Sequence, residues 1–276
     1  MKGTDVGTEN LKIEDLFSIR GKVALVTGGS RGIGEMIAAG FLQNGAKVYI
    51  SSRKAPACDE TAKRLSDTYG GECVALPANL SEVSGIDALT AALRERESHL
   101  DILVNNAGVS WGAPMDEFPE VGWDKVFDTN VKGVFFLTQR LLPLLEAKAT
   151  QENPSRVVNI GSIDGIRTPI FDTHSYGPSK AALHALTSQM AAKLVKRNII
   201  ANAIAPGPFP TWMLSTGIGT GGDVDNTDWS VLGRSNPRGR VGSAQDIVGL
   251  AIFLCSRAGA YTVGEVITCD GGIVIS

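Results

Sequence analysis

No apolar stretch in this sequence is long enough to cross a bilayer; the longest, Ile247 to Cys255, is about half the length required. Basic tracts are missing too. The formal net charge is -3 and the sequence pI about 5.7, and no run of five or more cations offers nucleic acid or an anionic membrane a footing. Cysteines are few. Cys58, Cys73, Cys255 and Cys269 show neither CxxC nor metal-ligand spacing, so they read as reduced packing thiols, with no metal site expected. Only three histidines occur, His99, His174 and His184, and the surroundings of Ser162 lack a GxSxG elbow, which argues against a serine nucleophile there. The N-terminus, MKGTDVGTENLKIEDL, is polar and acidic, unlike a secretory leader. These absences together lead us to expect a cytosolic protein.

What the chain does have is an ordinary globular composition, with 43% hydrophobic and 20% charged residues. No repeat and no internal boundary is visible, so one domain is expected over residues 21–276, preceded by a loose arm or short helix over 1–20. Short β-branched runs at Val23–Val26, Lys47–Ser51, Cys73–Leu76, Ile102–Val104, Arg156–Ile160, Ile199–Ile204 and Glu265–Thr268 predict strands. Helical patterns lie between them, among them Ile33–Asn44, Ser84–Glu97, Trp123–Leu145 and Ser175–Val195. This alternation predicts an α/β fold: a single-domain, Rossmann-like, doubly wound parallel sheet of about seven strands with helices on both faces. Residues Pro206–Arg240 break the pattern. They are rich in glycine and proline and carry Trp212, Met213, Leu214 and Trp229, which suits a lid over a small-molecule site.

The stretch Thr27–Gly34 reads TGGSRGIG, directly between the first strand and the first long helix. Glycines allow a tight turn and close backbone approach to a ligand, and a helix N-terminus attracts phosphate. The turn therefore predicts a dinucleotide diphosphate cradle. The end of the second strand selects the cofactor. Folds that hold a free ribose 2′-OH place a carboxylate there, whereas this chain has Ser52-Arg53-Lys54. Arg53, with Arg31 from the glycine turn reaching the same corner, suits a 2′-phosphate, so NADP(H) is expected over NAD(H). The plainer alternative is that Arg53 and Lys54 merely solvate the next helix.

Tyr176 and Lys180 are four residues apart on a predicted helix and share a face. A nearby ammonium lowers a phenol's pKa, so the pair suits proton transfer to a ketone oxygen as hydride is delivered. Ser162 follows the fifth strand, at the carboxyl edge where active groups gather, and its hydroxyl suits donation to a carbonyl oxygen. Asn130 lies inside a predicted helix, where asparagine is a poor helix former; capping or bending is its plainer role.

The run TGGSRGIG, then Asn105-Asn106-Ala107-Gly108, then Tyr176-Gly177-Pro178-Ser179-Lys180 resembles the short-chain dehydrogenase/reductase family, over about residues 20–275. Asp270-Gly271-Gly272 is similar as well. The resemblance implies a catalytic set of Asn130, Ser162, Tyr176 and Lys180, with Asn130 holding a water chain behind Lys180. It implies a cofactor cleft of Gly28, Ser30, Arg31, Gly32, Ile33, Gly34, Ser52, Arg53, Asn79, Leu80, Asn106, Ala107 and Gly108, joined by Tyr176 and Lys180. Pro206, Gly207 and Thr211 resemble the nicotinamide-contacting turn. It also implies homodimers or homotetramers, with the helices Trp123–Leu145 and Ser175–Val195 pairing between subunits. Ser110-Trp111-Gly112, Tyr176–Leu183 and Gly259-Ala260-Tyr261 are similar to 3-oxoacyl-carrier-protein reductases, in particular the kind linked to rhamnolipid synthesis. Two departures stand out. Asn79 replaces the usual Asp near the adenine, and Ser162 and Tyr176 are 14 residues apart, slightly wider than is common.

Substrate contacts are expected from Trp111, Ile163, Asp164, Phe171, His174, Phe209, Trp212 and Met213, each of which equally suits core or lid packing. The expected activity is that of an NADPH-dependent carbonyl reductase or alcohol dehydrogenase acting on a small-molecule ketone or secondary alcohol. Its substrate would be either a 3-oxoacyl thioester or a bulky hydrophobic ketone such as a steroid or xenobiotic. The non-enzymatic alternative is a dinucleotide-binding sensor or scaffold, which would need the glycine turn but not the phenol–ammonium pair.

Overall fold

A computed structural model of the chain describes residues 11–276. Residues 1–10 of the expected arm lie outside the described residues; the rest holds a short helix, α1 (Ile13–Leu16). The strands are β1 (Val23–Thr27), β2 (Lys47–Ser51), β3 (Cys73–Ala75), β4 (Ile102–Asn105), β5 (Ser155–Ile160), β6 (Ile199–Pro206) and β7 (Val266–Cys269). They form one parallel sheet in the order β3-β2-β1-β4-β5-β6-β7. The order reverses between β1 and β4, the point at which open parallel sheets offer a ligand site beyond the carboxyl ends of their strands.

Alternation along the strands assigns each side chain to a face. Ala24, Val26, Val48, Ile50 and Val104 pack under α2 (Gly32–Gln43) through Ile37 and Phe41. Leu25, Tyr49, Leu103 and Val157 face the opposite layer. Following α3 (Ala55–Tyr69), that layer is built by α4 (Val83–Arg94), with Ile86, Leu89 and Leu93 turned inward. Each fully buried aliphatic side chain contributes about 1.5–3 kcal/mol of transfer free energy.

The expected helix Trp123–Leu145 is two helices. α5 (Glu120–Phe127) runs into a wide π-helical turn at Asp128–Lys132 before α6 (Gly133–Glu146). Such turns re-aim one residue of a helix and occur at functional sites; this one carries Asn130, which is fully buried. α7 (Tyr176–Leu194) packs against β6 and adds Met190 and Leu194 to the second core. The expected lid contains two short helices, α8 (Trp212–Gly217) and α9 (Ser230–Arg234). α10 (Ala244–Cys255) then completes the α2 layer: a side chain at Gly40 would sit 2.3 Å from Val248, so glycine is what lets these two helices touch. Among the described residues, no helix is long and apolar enough to cross a membrane.

Candidate active site

The glycine turn sits at the reversal point. Gly28 and Gly32 have φ of 63° and 60°, a left-handed conformation that glycine adopts without strain. Thr27, at the end of β1, ties the turn to the loop after β4. Its hydroxyl donates to the Val104 carbonyl (3.2 Å) and accepts from the Asn106 and Ala107 amides (3.0 Å each). The Asn106 side chain donates back to the carbonyls of Thr27 (2.9 Å) and Gly28 (3.2 Å). Gly34 opens α2 directly against this knot. Thr27 escaped the sequence reading, although a polar residue ending an apolar strand is a visible signal.

Ser51 and Ser52, at the end of β2, have buried hydroxyls with no hydrogen-bond partner. Arg53 is exposed beside them. The Arg31 guanidinium is driven down in pKa by partial burial and by Arg53. Orphaned hydroxyls next to Arg53 fit a phosphate, and no carboxylate closes β2 to compete for it. Asn79 is committed locally: its amide donates to Glu82 (2.7 Å) and its oxygen accepts from the Ser81 hydroxyl (2.9 Å). Leu80 is buried beside it.

Ser162, Tyr176 and Lys180 converge at the carboxyl end of β5. Ser162 is buried, and its hydroxyl accepts from the Asp164 amide (3.1 Å), which leaves its proton free to donate. Lys180 is also buried. It donates to the Ile160 carbonyl (2.7 Å) and lies 5.6 Å from the centre of the Tyr176 ring. Asn130 accepts from the Val109 amide (2.9 Å) and donates to the Val109 carbonyl and to Ser179 (3.0 Å each), while Ser179 donates to the Tyr176 carbonyl (2.7 Å). Asn130 thus clamps the loop after β4 to the start of α7. Gly108 borders the gap between Asn130 and Lys180; a Cβ there would lie 3.4 Å from the Asn130 oxygen and 3.5 Å from the Lys180 nitrogen.

The expectation that Lys180 makes Tyr176 more acidic does not hold for the protein chain on its own. Desolvation, reinforced by the Asp164 carboxylate, pushes the phenol up to about 12 against a weaker opposing hydrogen bond from Ser162. Desolvation also lowers Lys180 to about 8. The phenol is therefore protonated at neutral pH, as a general acid must be. Asp164 disfavours the phenolate, so Asp164→Asn lowers the Tyr176 pKa. The expected result is a basic limb of the pH–rate profile that lies above pH 11 in the wild type and moves down into the measured range in the variant, read by steady-state kinetics from pH 6 to 11. An unmoved limb would show that Asp164 does not act on the phenol.

His184 was not singled out by sequence, although it lies one turn beyond Lys180. It is buried, its ring accepts the Ser162 amide (3.5 Å), and burial followed by the Lys180 charge lowers it to about 4. A side chain at Gly161 or Gly165 would strike this ring at 2.1 or 2.9 Å.

The eight expected substrate contacts divide. Phe209 and Ile163 are 2% and 4% exposed, and the Phe209 ring lies against Gly242, so both are packing residues within the chain. The Trp111 ring covers Gly122, with Lys125 5.1 Å from its centre. Phe171 and His174 are half-buried on the loop before Tyr176, and His174 meets Phe118 edge-on at 5.5 Å. Asp164 is half-buried and Met213 exposed. Trp212 stacks on Arg31 of the glycine turn, 4.3 Å from ring centre to guanidinium. Thr211, beside it, caps α8 by accepting the Leu214 amide (3.3 Å) and sits against Gly32; Pro206 ends β6 and Gly207 follows it.

A family profile described as enoyl-(acyl carrier protein) reductase matches residues 28–274. The chain is 50% identical, over 93% of its length and 97% of the relative's, to the rhamnolipids biosynthesis 3-oxoacyl-[acyl-carrier-protein] reductase of Pseudomonas aeruginosa. It is 36% identical to gluconate 5-dehydrogenase of Gluconobacter oxydans, over 95% and 98%. Among solved structures, the Pseudomonas aeruginosa RhlG/NADP active-site complex matches with a TM-score of 0.87 and 49% identity, covering 94% of this chain and 99% of that one. With the sheet order, the glycine turn and these matches in agreement, the chain belongs to the short-chain dehydrogenase/reductase family.

Proposed function

We propose that the protein is an NADP(H)-dependent carbonyl reductase, with a 3-oxoacyl thioester as its preferred substrate class. The observation that carries this is the convergence of Ser162, Tyr176 and Lys180 at the carboxyl end of β5, two strands along the sheet from the turn that would hold the dinucleotide. Gly28, Gly32 and the amides opening α2 would seat the diphosphate, and Arg31, Ser52 and Arg53 the 2′-phosphate. The bound nicotinamide supplies the hydride. The Ser162 hydroxyl would hydrogen-bond to the substrate oxygen and orient it, keeping its own proton. Tyr176 delivers a proton to that oxygen as negative charge develops, and the Lys180 ammonium stabilises the phenolate left behind. Ile166 and Ile170, exposed on the loop between Ser162 and Tyr176, would give an acyl chain an apolar surface. The 50% identity to a 3-oxoacyl reductase supports the thioester, while a bulky hydrophobic ketone would use the same surface. Assembly as a homodimer or homotetramer belongs to the same reading; Trp123 and Phe135, exposed on α5 and α6, support it.

Titration with NADPH followed by a ketone panel tests the assignment: binding with no reduction of any ketone would leave only a sensor or scaffold. Arg53→Asp tests the cofactor corner. It should weaken NADPH binding by roughly 10-fold or more and leave NADH binding nearly unchanged, because it replaces a charge-assisted contact with a repulsive one. An unchanged NADPH-to-NADH ratio would refute the corner's role.

A further inference from the structure

The Arg31 guanidinium makes no hydrogen bond or ion pair among the described residues. Its one fixed contact is the face of the Trp212 indole at 4.3 Å. Glu35, the acid one turn along α2 from Arg31, is taken by Arg64 at 2.7 Å. Arg53 adds a second positive charge nearby. A guanidinium stacked on an aromatic face keeps its N–H groups free in the plane of the fork, where they can grip a phosphate bidentately. The indole is itself held. Gly222 abuts it so closely, at φ 88°, that a Cβ would sit 2.2 Å from its ring nitrogen, and Thr211 packs on Gly32 next door. The start of the lid therefore grips the glycine turn at two adjacent points.

Resting on the NADP(H) reading above, we propose that Trp212 is a positioning residue for the cofactor: its indole holds the Arg31 fork toward the adenosine 2′-phosphate and so sets the preference for the phosphorylated dinucleotide. Trp212 acts through Arg31 and is 44% exposed, so its truncation should spare the fold. An exposed cation–π contact of this kind is worth about 2- to 5-fold in binding.

The test is calorimetric titration of the full-length chain with NADPH and with NADH, using wild type, Trp212→Ala, Trp212→Phe, Arg31→Ala and the Trp212→Ala/Arg31→Ala double variant, with circular dichroism reporting the fold. Trp212→Ala should weaken NADPH about 2- to 5-fold and leave NADH unchanged, with Trp212→Phe retaining most of the preference. In the Arg31→Ala background, Trp212→Ala should have no further effect. Equal weakening of both dinucleotides, no weakening, or an undiminished effect without Arg31 would each overturn the proposal. A wild-type protein that binds neither dinucleotide would instead overturn the reading on which it rests.

Discussion

Tyr176→Phe lowers turnover by about 10³-fold and leaves the dissociation constant for NADPH within about 2-fold of wild type, the size of effect expected when a positioned general acid is removed. The substitution deletes one hydroxyl and keeps the ring whose centre lies 5.6 Å from the Lys180 nitrogen. A loss of that size corresponds to about 4 kcal/mol of transition-state stabilisation. No other group is placed to replace the proton. The Lys180 ammonium is engaged with the Ile160 carbonyl, and His184, at about 4, is neutral near pH 7 and accepts rather than donates at Ser162. Stopped-flow reduction measured beside equilibrium titration separates chemistry from binding. A loss of less than tenfold would mean that Ser162 or solvent supplies the proton, and the acid assignment would fall.

Gly34→Ala is expected to cost about 2–4 kcal/mol of stability and to abolish measurable NADPH binding, through overpacking and the loss of fixed hydrogen bonds. A Cβ at Gly34 would lie 2.4 Å from both the Asn106 amide nitrogen and the Gly28 carbonyl oxygen. Neither can yield cheaply. One is backbone in a left-handed turn, and the other is fixed by two hydrogen bonds to that turn. The start of α2 would have to move away from β1 and β4, carrying with it the amides proposed to seat the diphosphate. Thermal unfolding should drop by roughly 5–15 °C for a chain of this size. Gly249→Ala is the control. It lies inside α10 with nothing within 4 Å of an added Cβ, so it should be neutral or slightly stabilising. Equal behaviour of the two variants would contradict the packing described.

The sequence exposed what backbone sterics and side-chain period demand. All seven strands lie within a residue or two of their expected spans, because parallel strands buried on both faces must be short apolar runs. The glycine turn was readable because few residues other than glycine tolerate its geometry. The break in Trp123–Leu145 was hidden: a π-helical turn needs neither glycine nor proline and keeps the apolar faces of α5 and α6 turned inward, and only the ill-suited Asn130 betrayed it. The lid helices α8 and α9, of six and five residues, are too short to show a period. The pKa of Tyr176 was beyond reach for another reason. Four-residue spacing reveals Lys180, but the desolvation and the Asp164 charge that outweigh it arise only from tertiary packing. The contact of Trp212 with Arg31 was hidden because the two lie 181 positions apart in the chain.

The Thr27–Asn106 knot has a consequence for redesign. It joins the glycine turn to the loop after β4 through backbone carbonyls and amides, so that unit resists piecemeal alteration. Arg31 and Arg53 project outside it, on exposed positions that contribute little to the core. On the proposed assignment of these two cations, dinucleotide choice is a detachable trait of this scaffold, open to retuning at the surface while the turn proposed to seat the diphosphate stays as it is.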